Sequence, residues 1–256
     1  MPLPAALAKF DLTDRVAIVT GGSRGIGLAI GQGFADAGAR VVIAARKPDE
    51  CLQAVETIRA AGGIAEAIPT HVGRLEEVHR LVDRTVEHFG GVDVVVNNAS
   101  NPLTLPIGSI TEEAFTKSYE VNVRGPLFLV QAALPFLRQS PSPAVINVIT
   151  AGVYTHGAHV ALYVSGKSAL LSFTKSMASE LAAAGIRVNA LAPGTVATKM
   201  VFSMPEAFQQ VAVDAQLIKR MAEPGEMVPA ALFLASDASL FMTGQTLVVD
   251  GGMTAH

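Results

Sequence analysis

The sequence predicts an α/β fold with one doubly wound parallel sheet and helices on both of its faces. Short runs rich in Val, Ile and Ala alternate with longer helical patterns along the chain. The short runs do not alternate between polar and apolar residues, which is typical of parallel strands covered on both faces. Several helical patterns end at a glycine, the usual residue after a helix C-terminus: Gly38, Gly62, Gly90 and Gly185.

Seven runs are predicted as strands, at residues 16–20, 40–44, 64–70, 92–96, 144–149, 186–191 and 247–249. Six helices are predicted, at residues 26–37, 49–61, 75–89, 112–137, 158–183 and 227–236. Because strands and helices alternate, right-handed crossovers should join the strands within one sheet. The chain has no internal repeat, low-complexity tract or linker, so we expect residues 1–256 to form a single domain.

The composition argues against several classes of protein. The formal net charge is −3 and the basic residues are scattered, which does not fit a nucleic-acid-binding surface. Cys51 is the only cysteine, so the chain has no intrachain disulfide and no zinc site built on cysteines. No apolar stretch has the length of a membrane span, and residues 1–10 do not resemble a signal peptide. We therefore expect a cytoplasmic protein without a metal site, a membrane partner or a nucleic-acid partner.

A glycine-rich turn lies between the first predicted strand and the first predicted helix. It reads Gly21-Gly22-Ser23-Arg24-Gly25-Ile26-Gly27. Glycines allow the backbone to approach a pyrophosphate, and a helix N-terminus offers free N–H groups and the positive end of a dipole. The placement after a strand and before a helix therefore predicts a dinucleotide-binding turn.

The end of the second predicted strand indicates which dinucleotide is bound. An acidic residue there would hold the ribose 2′-hydroxyl of NAD, but the chain has Ala45 followed by Arg46. A guanidinium group suits a 2′-phosphate, and Arg24 lies in the nearby glycine turn. The sequence favours NADP(H), with NAD(H) as the alternative.

Tyr163 and Lys167 lie four positions apart in a predicted helix and therefore point the same way. A nearby positive charge stabilises phenolate and lowers the pKa of a tyrosine. The pair is therefore a candidate acid–base group.

Residues 198–223, which are rich in Met and Phe, follow a predicted strand and are interpreted as a lid over an apolar substrate rather than an ordinary surface helix.

From about Asp11 to Gly252 the chain resembles the short-chain dehydrogenase/reductase family in its compact single-domain form. The motifs that carry the resemblance occur in family order: the glycine turn, Asn97-Asn98-Ala99, Asn122, the Tyr163/Lys167 pair, Pro193-Gly194 and the C-terminal Asp250-Gly251-Gly252. The 3-oxoacyl-carrier-protein reductases and related carbonyl reductases look similar, and so do many sugar and alcohol dehydrogenases. The resemblance implies a Rossmann sheet of seven strands in the order 3-2-1-4-5-6-7.

The resemblance also implies catalytic roles. Tyr163 would exchange a proton with the substrate oxygen, and Lys167 would hold the nicotinamide ribose and lower the tyrosine pKa. Asn122 would position a water that links Lys167 to solvent. Thr150 stands thirteen positions before the tyrosine, where the family usually has a serine that hydrogen-bonds the substrate oxygen.

The resemblance also implies cofactor contacts, from residues before and after these catalytic residues in the sequence. Asn98 and Ala99 would line the ribose, and Val196 and Thr198, after Pro193-Gly194, would meet the nicotinamide carboxamide.

Two further positions depart from the family pattern. His71, followed by Val72, stands where an aspartate usually contacts adenine, and Ser100 replaces a glycine. A threonine at position 150 keeps the hydroxyl but restricts its rotamers. His156 and His159, between Thr150 and Tyr163, are expected on the surface.

The sequence thus favours an NADP(H)-dependent oxidoreductase that acts on a small-molecule carbonyl or alcohol and forms a homotetramer or homodimer. Three alternatives remain open. They are an NAD-linked alcohol or sugar dehydrogenase, a cofactor-binding but catalytically silent sensor, and a structural role through the subunit interface.

Overall fold

The computed structural model describes residues 4–155 and 157–255. Seven strands form one parallel sheet in the order β3-β2-β1-β4-β5-β6-β7, which confirms the predicted fold class and strand order. The strands are β1 (Val16–Thr20), β2 (Arg40–Ala44), β3 (Ile64–Ala67), β4 (Val94–Asn97), β5 (Ala144–Val148), β6 (Arg187–Pro193) and β7 (Thr246–Val249).

Ten α-helices occur in the described residues. They are α1 (Ala5–Ala8), α2 (Gly25–Asp36), α3 (Pro48–Ala60), α4 (Leu75–Phe89), α5 (Glu112–Tyr119), α6 (Gly125–Leu137), α7 (Ala161–Leu181), α8 (Lys199–Phe202), α9 (Glu206–Asp214) and α10 (Val228–Ala235). None of these helices is long and apolar enough to cross a membrane.

The sheet separates two large apolar cores. One contains Phe34 of α2 and Leu234 of α10, and the other contains Leu81 of α4 and Leu129 of α6. Every residue of β1 is buried, because side chains on both faces of the strand are covered by helices. This double coverage explains why the strands lack polar alternation in the sequence.

The predicted continuous helix 112–137 is wrong, because a π-helical turn (Glu120–Arg124) separates α5 from α6. Gly125 follows this turn and lies against the backbone of Val72, where a Cβ would collide with the Val72 carbonyl. Pro126, at the start of α6, has no N–H to continue the hydrogen-bond pattern. Single π turns are frequent at functional sites, and this one carries Asn122.

The other boundaries differ from the predictions by a few residues. The third strand is shorter than predicted, since β3 ends at Ala67 rather than at residue 70. The helix predicted at 158–183 begins at Ala161 and ends at Leu181. The short helix α1 was not predicted. Residues 198–223 contain α8 and α9 and no strand of the sheet.

Arg187 at the start of β6 is a buried cation that caps the C-terminus of α10. Its guanidinium donates to the Leu234 carbonyl and the Ser239 hydroxyl, each at 2.8 Å, and to the Ser236 carbonyl at 3.2 Å. The side chain therefore satisfies carbonyls that the helix end leaves unpaired.

Replacing Arg187 with Met should lower the free energy of unfolding by about 2–4 kcal/mol, because buried carbonyls lose their donor. Urea denaturation measures this loss. Arg84→Met is the matched control, since Arg84 pairs with Glu87 on the exposed surface of α4 and should cost less than about 1 kcal/mol. Equal losses in the two variants would contradict a special role for Arg187.

Candidate active site

The candidate site lies where the C-terminal ends of β1, β4, β5 and β6 meet at one edge of the sheet. Sites in open parallel sheets form at this edge. The last residues of these four strands are Thr20, Asn97, Val148 and Pro193. The predicted site residues follow these ends, so the topology brings distant parts of the sequence together.

The glycine turn forms a close-fitting cradle. Gly21 and Gly25 have left-handed backbones, with φ of 64° and 55°. A Cβ on Gly21 would lie 2.9 Å from the Cα of Ala99, and one on Gly25 would lie 3.2 Å from the methyl carbon of Thr198. A Cβ on Gly27 would overlap the Asn98 amide. The structure thus brings the turn together with Asn98, Ala99 and Thr198.

Asn98 and Thr20 hold this turn against the end of β4. The Asn98 side chain donates to the Thr20 carbonyl at 2.8 Å and to the Gly21 carbonyl at 3.2 Å. The Thr20 hydroxyl accepts from the backbone N–H groups of Asn98 and Ala99, at 3.0 and 3.1 Å. The amide hydrogens of Asn98 therefore shape the turn, and no donor among the described residues bonds its side-chain oxygen, which is available for a ligand.

Asn122 organises the segment after β4. Its side-chain oxygen accepts from the Asn101 N–H at 2.9 Å and from the Ser100 hydroxyl at 3.1 Å. Its amide nitrogen donates to the Asn101 carbonyl at 2.9 Å and to the Ser118 hydroxyl at 3.0 Å. The side chain is completely buried, so these contacts fix residues 100–101 relative to the π-helical turn. No hydrogen bond among the described residues joins the Asn122 side chain to Lys167.

Lys167 is a buried amine, 2% exposed, and its Nζ donates to the Val148 carbonyl at 2.7 Å. Burial lowers the pKa of Lys167 to about 8, because a low-dielectric surrounding disfavours the charged form. The bond connects α7 to the last residue of β5, two positions before Thr150.

Tyr163 lies one turn before Lys167 on α7 and is partly buried. Burial raises the pKa of Tyr163 to about 12, while a side-chain hydrogen bond with Ser100 acts in the opposite direction. This shift is opposite to the lowering expected from a nearby positive charge, because desolvation outweighs the other effects. Tyr163 is thus a protonated phenol at neutral pH. Ser100, which lies close to this phenol, donates its hydroxyl proton to the Asn122 side chain at 3.1 Å.

Thr150 follows β5 and begins a 3-10 turn. Its hydroxyl oxygen accepts from the Gly152 N–H at 3.2 Å, which fixes the side-chain rotamer. The hydroxyl proton has no acceptor among the described residues. A threonine in this position therefore retains a donor that is free for a ligand.

His71 and Val72, which were predicted to lie beside the adenine, make local contacts in the turn before α4. The His71 ring accepts from the Gly73 N–H at 3.1 Å, and the His71 N–H donates to Glu77 at 2.7 Å. Val72 is buried. No hydrogen bond among the described residues joins either side chain to the glycine turn.

The segment after β6 passes beside the glycine turn. Gly194 follows Pro193, and its N–H donates to the Val249 carbonyl at 3.0 Å. Val196 is 3% exposed and packs into the core. Thr198 is only partly buried and lies beside Gly25.

Charged residues collect at the outer end of the glycine turn. Arg24 is exposed and forms an ion pair with Glu50 at 3.2 Å, whereas Ser23 is partly buried beside it. Arg46 is exposed after β2 and makes no ion pair with a described residue. The register places Thr20 of β1 beside Ala44 of β2, so both arginines follow neighbouring strand ends.

The predicted lid exposes apolar side chains on α8 and α9, with Phe202 61%, Phe208 51% and Val211 66% exposed. Its C-terminal end is anchored by Gln216, a buried side chain whose oxygen accepts from the Thr195 N–H at 2.9 Å. His159 is exposed as predicted, with its ring centroid 6.5 Å from that of Phe208. His156 lies outside the described residues.

A buried polar chain beneath the site was not predicted. The Asn97 side chain donates to Asn147, and Asn147 donates to the Thr174 hydroxyl, each at 2.9 Å. The chain connects β4, β5 and α7. Its signal in the sequence is an asparagine within an otherwise apolar strand, which is costly to bury without partners.

Comparisons with known proteins agree over nearly the whole chain. A family model described as Enoyl-(Acyl carrier protein) reductase matches residues 21–254. The chain is 40% identical to short-chain dehydrogenase/reductase SDRA of Arabidopsis thaliana, over 96% of both chains. It is 35% identical to human dehydrogenase/reductase SDR family member 4, over 94% of this chain and 88% of that protein.

A solved structure is also similar. The short-chain type dehydrogenase/reductase from Mycobacterium marinum superposes with a TM-score of 0.93 and is 32% identical, covering 98% of this chain and 100% of that one.

The buried Lys167 should make the protein more stable as the pH rises from about 8 to about 10. The folded-state pKa is about 8, whereas an unfolded lysine titrates near its ordinary value of about 10.4. Between these values the unfolded chain binds more protons, so the free energy of unfolding increases, by about 1–3 kcal/mol. Above about pH 10 the raised pKa of Tyr163 acts in the opposite direction, since the unfolded chain releases its phenol proton first.

Urea unfolding at several pH values measures this increase. Lys167→Met should abolish it, whereas Lys175→Met, an exposed position on the same helix, should retain it. An unchanged pH dependence in Lys167→Met would show that another group is responsible.

Proposed function

The chain belongs to the short-chain dehydrogenase/reductase family of oxidoreductases, and we propose that it transfers a hydride between NADP(H) and a carbonyl or secondary alcohol. Tyr163 is the proposed general acid and base, within a single domain. The observation that carries the proposal is the placement of Tyr163 on α7, one helical turn before the buried amine of Lys167, at the strand ends where the Thr150 hydroxyl follows β5.

The glycine turn fits a dinucleotide, because it joins the end of β1 to the first turn of α2, and its glycines allow the backbone to lie close to Asn98 and Ala99 where a side chain would collide. The backbone N–H groups at the start of α2 would hold the pyrophosphate. Arg24 and Arg46 would bind the 2′-phosphate. Lys167, the Asn98 carbonyl oxygen and the segment from Pro193 to Thr198 would hold the nicotinamide riboside.

When bound, the nicotinamide supplies or accepts the hydride. In the direction of reduction, the Tyr163 phenol donates its proton to the substrate oxygen, and the Thr150 hydroxyl donates a hydrogen bond to the same oxygen. In the direction of oxidation, Tyr163 accepts the hydroxyl proton. The raised pKa of Tyr163 makes the phenol a weaker acid than an ordinary tyrosine, so a positive charge beside it, from Lys167 or the nicotinamide ring, would have to lower the pKa for efficient proton transfer.

Asn122 and Ser100 position the phenol rather than react. Asn122 is fully satisfied by four hydrogen bonds and holds Ser100 beside Tyr163. Lys167 holds the nicotinamide ribose in this proposal, and its low pKa makes its charge sensitive to pH near 8.

The exposed apolar side chains of the lid favour an apolar carbonyl substrate. Phe202, Phe208 and Val211 lie on α8 and α9, which follow the end of β6 at the site. Burial of these side chains against a ligand would contribute favourable transfer free energy. Met200 and Met204 in the same segment adapt to ligands of varied shape.

Assembly into a homodimer or homotetramer is proposed from two exposed apolar surfaces. One is on α5, where Phe115 is 47% exposed and stacks on Tyr119 with ring centroids 4.4 Å apart. The other includes Leu240 and Phe241, before the edge strand β7. Exposed apolar patches are typical of subunit interfaces. A cytoplasmic location remains a prediction from composition.

Replacing Tyr163 with Phe should lower kcat/KM by about a hundredfold to ten-thousandfold, because the proton donor is lost. Binding of NADPH, followed by fluorescence titration, should remain. Turnover is measured as NADPH oxidation with a panel of ketones, β-ketoacyl thioesters and quinones. Tyr119→Phe is the control and should retain activity: it removes a phenol hydroxyl from a partly buried residue of α5 that donates to Ser165 at 3.0 Å. Turnover in Tyr163→Phe equal to that of the wild type would overturn the proposed mechanism.

Replacing Arg46 with Asp should shift the ratio of NADPH affinity to NADH affinity toward NADH by at least about tenfold, since a charge-assisted contact to the 2′-phosphate is lost and a like charge added. Fluorescence titration with both cofactors measures the ratio. Arg138→Asp makes the same charge change at an exposed position after α6 and should leave the ratio unchanged. The same ratio in wild type and Arg46→Asp would refute the assignment of Arg46.

A further inference from the structure

Glu50 lies between two cations beside the glycine turn, Arg24 and Lys47, which form the cationic cluster of this site. It lies in the first turn of α3 and is one-third exposed. One carboxylate oxygen accepts from Arg24 at 3.2 Å, and the other accepts from Lys47 at 2.8 Å. Both carboxylate oxygens therefore bind cations that could otherwise bind an anionic ligand.

We propose that Glu50 is an internal competitor for the 2′-phosphate of NADP(H) and thereby sets how strongly the protein prefers NADP(H) over NAD(H). This inference rests on the proposed NADP(H)-dependent function. It identifies a specificity-determining residue outside the glycine turn and outside the end of β2.

The charge state of Glu50 supports this competition. The hydrogen bond from Lys47 lowers the pKa of the Glu50 carboxyl; burial opposes this, and the charges of Arg24, Lys47 and Lys199 lower it further. Glu50 is therefore an anion at neutral pH. The two contacting cations, Arg24 and Lys47, come from the glycine turn and from the residue before α3.

The two cofactors should respond differently to this carboxylate. A 2′-phosphate needs the same donors, so it must displace Glu50 from Arg24 and Lys47 or lie beside a like charge. A ribose 2′-hydroxyl carries no charge and can donate a hydrogen bond to a carboxylate. The carboxylate thus opposes NADP(H) and not NAD(H), while the exposed Arg46 remains free to attract the phosphate.

The test uses Glu50→Gln, which keeps the shape of the side chain and removes its charge. Dissociation constants for NADPH and NADH are measured by fluorescence titration at low and high salt. NADPH binding should tighten about three- to tenfold at low salt, with NADH binding nearly unchanged. The gain should fade at high salt, because exposed charges are screened.

Asp49→Asn is the matched control. Asp49 lies beside Glu50 in the first turn of α3 and is exposed, and none of the ion pairs among the described residues includes it. The substitution removes the same charge from the same helix end and should change neither dissociation constant. Adenosine 2′,5′-bisphosphate and 5′-AMP, used as competitors, should repeat the difference and locate it at the 2′-phosphate.

The outcomes separate this inference from the function on which it rests. Weaker NADPH binding in Glu50→Gln, an equal change for both cofactors, or the same change in Asp49→Asn would overturn the inference about Glu50 alone. A wild-type protein that binds neither cofactor would overturn the proposed function and the inference together.

Discussion

The hydrogen bond from Lys167 to the Val148 carbonyl is the interaction on which the arrangement of the candidate site depends. A buried amine is costly, and here a carbonyl at the end of β5 accepts its hydrogen bond. Seven residues later on the same helix, the Thr174 hydroxyl accepts from Asn147. Two polar contacts therefore fix the register of α7 on the sheet, and the position of Tyr163 follows from that register.

The π-helical turn supplies the second constraint, because it places Asn122 between the loop after β4 and α7. A Cβ on Gly166 would lie only 3.2 Å from the Cβ of Asn122, so the glycine allows the helix to approach. The same asparagine fixes Ser100 and Asn101 through its side chain. One buried amide thus positions the tyrosine-bearing helix and the loop that faces it.

The sequence predicted the sheet and most helices, since apolar runs and glycine stops reflect burial and turn geometry directly, and the strand order came from the family resemblance. It also identified the residues that meet at the strand ends. The π-helical turn was missed, because residues 112–137 keep a helical pattern across it. Hydrogen-bond partners were not predictable either. His71 accepts a bond from Gly73 in a local turn that the sequence does not reveal, and Arg24 pairs with Glu50 through a contact that depends on tertiary structure.

The site combines two electrostatic environments that respond to different variables. At the Arg24 end the charges are half-exposed, so their interactions are screened by salt. At the Tyr163 end burial governs both pKa values, raising that of the phenol and lowering that of the Lys167 amine, and screening acts little on buried groups. Ionic strength should therefore act on the choice of cofactor, and pH on proton transfer, although both groups of residues belong to one edge of one sheet.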